Sequence, residues 1–314
     1  MASWNRIISK LIASSCLWFL VLLPITASAQ TNKSPKYDVR VDIVSIDVEV
    51  LDGDGNLVRD LSKDDFLVEE NGKAVKIVNF VYQYDNPVSV AIILDTSTIE
   101  QKKLSIAKEF ILNIIYLLDR GDDICLYSFD NRDAYLEADF TVDRNSLVDA
   151  VENIAVPSKR KWGFLAEFFG VDPRTGLCID LAIYSHRKSK HNKKTLLIIS
   201  NRFRGLGPAT VDHIKSSRCT LYTLGFDNKS AAIATLGGDH INKRQLMSES
   251  GGRKFSAETL DVIGVSKAIV NSMKNYYSIA YETEADQEGK KERRIEVKLP
   301  GHDYDINARR TIQE

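Results

Sequence analysis

The stretch Val88-Ser89-Val90-Ala91-Ile92-Ile93-Leu94-Asp95 constrains this chain more than any other. It is almost unbroken in apolar residues, rich in β-branched side chains and too short for a packed helix. That combination reads as a strand buried on both faces of a sheet. The strand stops at Asp95, and Thr96, Ser97 and Thr98 follow it. Then Leu104, Ala107, Phe110, Ile111, Ile114, Ile115 and Leu118 recur at helical spacing. An acid and several hydroxyls therefore occupy the loop leaving the carboxyl end of a central strand, the edge at which open α/β sheets bind ligands.

Further apolar strands are read at 124–129, 195–200 and 220–225, with an alternating edge strand at 134–140. Helical segments fall between them at 146–154, 178–185, 210–216, 246–250 and 257–273. Strands alternating with helices define an α/β domain over residues 86–273, with a doubly wound, mostly parallel sheet. Residues 37–85 read instead as β structure. Val39, Val41 and Ile43 alternate; after Ser45 the phase shifts to Ile46, Val48 and Val50, which predicts a long strand with a bulge. Asp52-Gly53-Asp54-Gly55-Asn56 is a turn. It is not a calcium loop, because Leu57 stands where the glycine is needed and Lys63 where the bidentate glutamate is needed. Residues 274–314 revert to β, so the two flanking segments are expected to pair into one small β-sandwich with the α/β domain inserted.

The first 29 residues stand apart. Arg6 and Lys10 precede the apolar run from Cys16 to Leu23, and Pro24 and Ala27-Ser28-Ala29 follow. Positive, then apolar, then A-x-A is the order of a secretory signal peptide, which predicts cleavage after Ala29 and a secreted or periplasmic protein. The alternative of a retained anchor stays open. Residues 30–36 read as a disordered linker. The net charge of -1 offers no field for nucleic acid. Cys125, Cys178 and Cys219 lack C-x-x-C spacing, which argues against zinc and for buried thiols, with one disulfide left open.

A buried strand ending in Asp95-Thr96-Ser97, an amphipathic helix, Leu126-Tyr127-Ser128-Phe129-Asp130 and Leu196-Leu197-Ile198-Ile199-Ser200 together resemble a von Willebrand factor type A domain. More narrowly, Val50-Leu51-Asp52, the run Asp65 to Lys73, Tyr276 to Tyr281, Arg294 to Val297 and Ala308 to Arg310 are similar to a secreted bacterial family of von Willebrand factor A-related proteins described from acidobacteria. The resemblance covers roughly residues 39–310. It implies a Rossmann-like α/β fold and a metal-ion-dependent adhesion site for magnesium or manganese. In that site one loop reads Asp-x-Ser-x-Ser, a second gives a threonine and a third an aspartate. Carried over, the site comprises Asp95, Ser97, Thr175 and Asn201. It is degenerate: Ile99 replaces the second serine, the threonine position falls on Gly176 with Thr175 one residue early, and Asn201 replaces the aspartate. The expectation is weak cation binding or none, hence no cofactor. In the plainer reading Asp95 and Ser97 merely cap the helix starting near Glu100.

Other chemistry is sparse. Residues 185–194, with His186, Arg187, Lys188, Lys190, His191, Lys193 and Lys194, read as a basic exposed loop able to attract anions or an acidic partner. Gly205 and Gly207 lack the third glycine and the lysine of a phosphate loop, and Gly-x-Ser-x-Gly is absent. Trp162, Phe164, Phe168 and Phe169 precede Thr175 and would flank the Asp95 edge. The chain is therefore expected to be a non-enzymatic, exported protein-interaction module of adhesion type, whose partner and oligomeric state the sequence leaves open. Metal-dependent adhesion through Asp95 and Ser97 is the first alternative; an exported hydrolase, for which no nucleophile–base pair is recognisable, is the second.

Overall fold

The computed structural model describes residues 41–313 except 98, 131, 156–172, 201–205, 227–242, 258–260 and 285–291. The segments read as a signal peptide (1–29) and a linker (30–36), together with Trp162, Phe164, Phe168, Phe169, Asn201 and Gly205, lie outside the described residues. The chain opens with strands β1 (Val41–Leu51), β2 (Leu67–Glu70), β3 (Lys73–Ala74) and β4 (Ile77–Gln83). Alternation follows: β5 (Val88–Asp95), α1 (Gln101–Leu117), β6 (Asp123–Phe129), β7 (Ala134–Thr141) and α2 (Arg144–Asn153). It continues through α3 (Pro173–Ser185), β8 (Lys193–Ile199), α4 (Pro208–Ser217) and β9 (Thr220–Gly225). Next come α5 (Lys243–Ser250), β10 (Lys254–Ser256) and α6 (Val262–Lys274). Strands β11 (Tyr276–Glu284), β12 (Glu292–Lys298), β13 (Asp305–Ala308) and β14 (Thr311–Gln313) end it.

The α/β region forms one sheet of order β10-β9-β8-β5-β6-β7, parallel throughout except for the antiparallel edge pair β6–β7. Every residue of β5 is buried, because each of its faces carries its own core. Val88, Val90, Ile92 and Leu94 pack with Phe110 and Ile114 of α1, Val151 of α2 and Met273 of α6. Ala91 and Ile93 point the other way, toward Cys178 and Ala182 of α3, Ile214 of α4 and Leu246 of α5. This is the doubly wound α/β fold that the alternation of strands and helices implies.

The flanking strands build two antiparallel sheets, β13-β1-β11-β4 and β14-β12-β2-β3, so each sheet mixes strands from both ends of the chain. Val44, Ile46, Val48 and Val50 of β1 meet Val68, Tyr277, Ile279, Tyr281, Ile295 and Ile312 between the two. The predicted bulge near Ser45 is absent. β1 pairs with β11 without interruption from Val41 opposite Glu284 to Val48 opposite Tyr277. The inward set is therefore 44, 46, 48 and 50 throughout, and Ile43 is exposed on the opposite face. That second face turns toward the α/β region farther along. There the Lys193 ammonium donates to Asp47 Oδ2 (2.8 Å), and buried Glu49 accepts from Ser272, Asn307 and Arg253. Cys125, Cys178 and Cys219 are buried free thiols.

The segment read as an exposed basic loop needs correction. His186 is 1% exposed, and Lys193 is the buried first residue of β8. One imidazole nitrogen, Nε2, lies 3.1 Å from the Thr195 carbonyl oxygen, so Nε2 carries the proton and donates. Nδ1 has no hydrogen-bond partner. Burial, reinforced by the Lys194 charge, pulls the His186 pKa down to about 4, against an opposing contribution from the Thr195 hydrogen bond. The unfolded chain binds this proton near pH 6.5 and the folded chain does not. The stabilisation present above pH 6.5 is thus lost as pH falls toward 4, by ~3 kcal/mol. Urea denaturation at pH 7.5 and 4.5 is expected to show this loss in the wild type. In His186→Gln, which keeps a donor but cannot titrate, the loss is smaller by about that amount.

Candidate functional site

The Asp95 carboxylate is buried at the carboxyl end of β5. Its Oδ1 accepts from the Ser97 backbone N–H (2.9 Å) and the Ser97 hydroxyl (2.5 Å), which folds the loop back on itself as an Asx turn. Oδ2 accepts from the Ser200 hydroxyl (2.6 Å), at the end of neighbouring β8. Thr96 fastens the other side, where both its N–H and its hydroxyl donate to the Phe129 carbonyl at the end of β6, each at 2.9 Å. One buried carboxylate and its neighbours thus join the carboxyl ends of three adjacent parallel strands. A hydrogen bond to a charged acceptor contributes about 1.5–3 kcal/mol, so this loop is held firmly.

The other site residues fall unevenly. Thr175 is buried in the first turn of α3, not in a free loop. Gly176 follows it, and any side chain there would meet the Thr210 hydroxyl 2.9 Å away. That hydroxyl itself donates to Asp180 Oδ2 (3.2 Å), so α3 and α4 approach closely at Gly176. Ile99 is fully buried in the core beneath α1. The N-cap position of α1 belongs to Glu100, whose side chain makes no capping hydrogen bond, while Asp95 and Ser97 bond each other upstream of it. Sequence reasoning passed over Ser200 in favour of its neighbour Asn201. A hydroxyl ending a strand beside the one that carries Asp95 was the signal for it.

Magnesium and manganese take six oxygens in a regular octahedron. The described residues supply Asp95 and the hydroxyls of Ser97 and Ser200. The second serine position is Ile99, which offers no oxygen and fills its space with apolar atoms. Among the described residues no group of three or more Asp, Glu, His or Cys side chains is arranged to hold a metal ion.

No protein-family model matches the sequence, and no curated protein does. Solved structures do. An aerotolerance-related membrane protein from Bacteroides fragilis is 19% identical, with 59% of this chain and 98% of that one covered and a TM-score of 0.44. A von Willebrand factor type A structure from Catenulispora acidiphila is 12% identical, covering 87% of this chain and 74% of that one, with a TM-score of 0.43. The vWF domain of a type V pili tip protein from Porphyromonas gingivalis is 13% identical, covering 61% and 97%, with a TM-score of 0.38. These likenesses concern the fold alone. The sheet order, the antiparallel edge strand and the Asp95 loop define the inserted region as a doubly wound α/β sheet with a polar loop at the carboxyl end of its central strand.

The two halves of the loop make different demands on stability. Ser200→Ala removes one hydrogen bond to a buried carboxylate, an expected cost of ~2 kcal/mol. Ile99→Ala leaves a cavity in the core, an expected cost of ~3 kcal/mol. Equilibrium denaturation of the two variants checks the order, and a larger loss for Ser200→Ala would make the carboxylate, not Ile99, the main tie of the loop.

Proposed function

We propose that this chain is an exported, non-enzymatic protein-interaction module of adhesion type that engages its partner without a metal ion. The observation carrying this reading is an apolar stripe on α3, the helix that starts at the Asp95 edge of the sheet. Leu177, Leu181 and Tyr184 are 46%, 38% and 60% exposed. They recur at i, i+4 and i+7, so they form one face, with Arg187 laid over the Tyr184 ring at 5.2 Å. Exposed large apolar residues aligned in this way mark an interaction surface more often than isolated ones do. Export is supported by the order of charge, apolar run and A-x-A in residues 1–29. Among the described residues, moreover, no helix is long and apolar enough to cross a membrane. The absence of a metal requirement is supported by Ile99 and by the closed space at Gly176.

Affinity capture from the secreted and envelope fractions of the source cells tests the reading. The tagged protein should retain the same partner in buffer with excess EDTA and in buffer with magnesium. A Leu177→Glu/Leu181→Glu variant, both positions being on the surface, should lose that partner. Loss of the partner in EDTA, together with micromolar manganese binding abolished by Asp95→Ala, would establish metal-dependent adhesion through Asp95 and Ser97 instead. Retention by the double-glutamate variant would remove α3 from the interface.

A further inference from the structure

The other end of the same sheet carries a feature that the proposed function does not use. A cleft of about 650 Å³ opens between the β-sandwich and the α/β region. Its lining includes Lys193 and Thr220, the first residues of β8 and β9, whereas Asp95 is the last residue of β5. At roughly 3.3 Å per residue the cleft lies about 20 Å from the Asp95 loop. Its walls come from separate parts of the chain: β1 and β11 on one side, the α3–β8 connection and the end of α4 on the other, and Arg309 beyond β13.

Charge distinguishes this cleft from the rest of the molecule. Lys190, Lys193, Lys215, Arg218 and Arg309 line it, against one carboxylate, Asp47, in a chain whose net charge is -1. Two of the cations are matched. Lys193 lies 2.8 Å from Asp47 Oδ2, 3.1 Å from the Thr220 hydroxyl and 4.2 Å from the Tyr276 ring centroid. Lys215 reaches Glu292 at 3.2 Å. The other three have no carboxylate partner among the described residues. Lys190 and Arg218 are exposed. Arg309 is 7% exposed, and its guanidinium donates to the carbonyl oxygens of Lys215 (2.6 Å) and Cys219 (3.0 Å), both neutral acceptors.

The plain account of basic residues at a helix end is their attraction to the helix dipole, and α4 ends at Lys215 and Arg218. That account does not reach Lys190, which precedes β8, or Arg309, which comes from the carboxyl-terminal strands. A guanidinium held at a cleft wall by two carbonyls is oriented and costly to bury, and the nearby carboxylates Asp47 and Glu249 offset that cost only in part, without an ion-pair contact. Burial accordingly draws its pKa down to about 10. An anion entering the cleft would offset that cost directly, and Ser278, Asn86 and Asn192 add neutral hydrogen-bonding groups to the lining. The volume is that of an ordinary small-ligand site.

We propose that this cleft binds a small oxyanion with two or three negative charges, recognised by Arg309 at the wall and by Lys190 and Arg218 at the opening. Phosphate and carboxylate oxygens share the required chemistry, so pyrophosphate and citrate are the two probes. Titration calorimetry of the purified protein at low salt is expected to give, for at least one of them, a dissociation constant below about 100 μM. Added salt should weaken binding. The charge reversal Lys190→Glu/Arg218→Glu touches only exposed side chains, so an unchanged melting temperature will certify its fold. It should weaken binding by about tenfold or more. Binding of neither probe by the wild type, or equal affinity in the folded double variant, would overturn the proposal.

Discussion

The pairing of β1 with β11 is the interaction on which the rest of the molecule depends. Eight consecutive residue pairs, from Val41–Glu284 to Val48–Tyr277, join strands separated by the whole α/β region. Closing so long a loop costs chain entropy that grows only slowly with length, and a continuous antiparallel ladder with a buried inner face repays it. β4 and β13 flank this pair at its two edges, and β2, β3, β12 and β14 form the sheet that packs against it. The inserted sheet leaves and returns between strands of this one sheet, β4 and β11.

Strand β1 also has a second face, and its chemistry explains why the two regions form one body. Asp47 and Glu49 point away from the sandwich core toward Lys193, Arg253, Ser272 and Asn307. A buried carboxylate is tolerated only where donors satisfy it, and Glu49 has three. Such bonds add orientation more than net stability, because each charge gives up water to make them. Their effect is to fix the angle at which the parallel sheet meets the sandwich. The basic cleft is a direct result: its walls come from both regions, and neither alone would place Arg309, Lys193 and Tyr276 around one space.

Much of this was legible in the sequence. Eight buried residues of β5 and the alternating helices carry a strong period, which tertiary contacts reinforce and do not override. The sandwich from both chain ends was legible for the same reason. Failures came where a side chain answers to a remote partner. Ile43 continues the apolar alternation but faces outward, since phase is set by the long pairing of β1 and not by local pattern. His186 sits among basic residues and reads as solvated, yet the Phe140 ring 4.9 Å away and the Thr195 carbonyl hold it in the interior. Strands β10 and β14, three residues each, are too short to show a period. Within the site, Asp95 and Ser97 were found by motif, whereas Ser200 becomes visible only when β5 and β8 lie side by side.

A buried aspartate calls for a physical reason to stay in place. Here the reason is geometric: the carboxyl ends of parallel strands leave carbonyls, amides and loop hydroxyls with no ladder partner of their own. Asp95 takes the Ser97 amide and two hydroxyls at once, and Thr96 takes the free carbonyl of Phe129. The arrangement satisfies the edge of the sheet from within. Ile99, just before the first turn of α1, is turned into the core. Such an edge presents a preorganised, largely self-satisfied polar floor beside the start of α3.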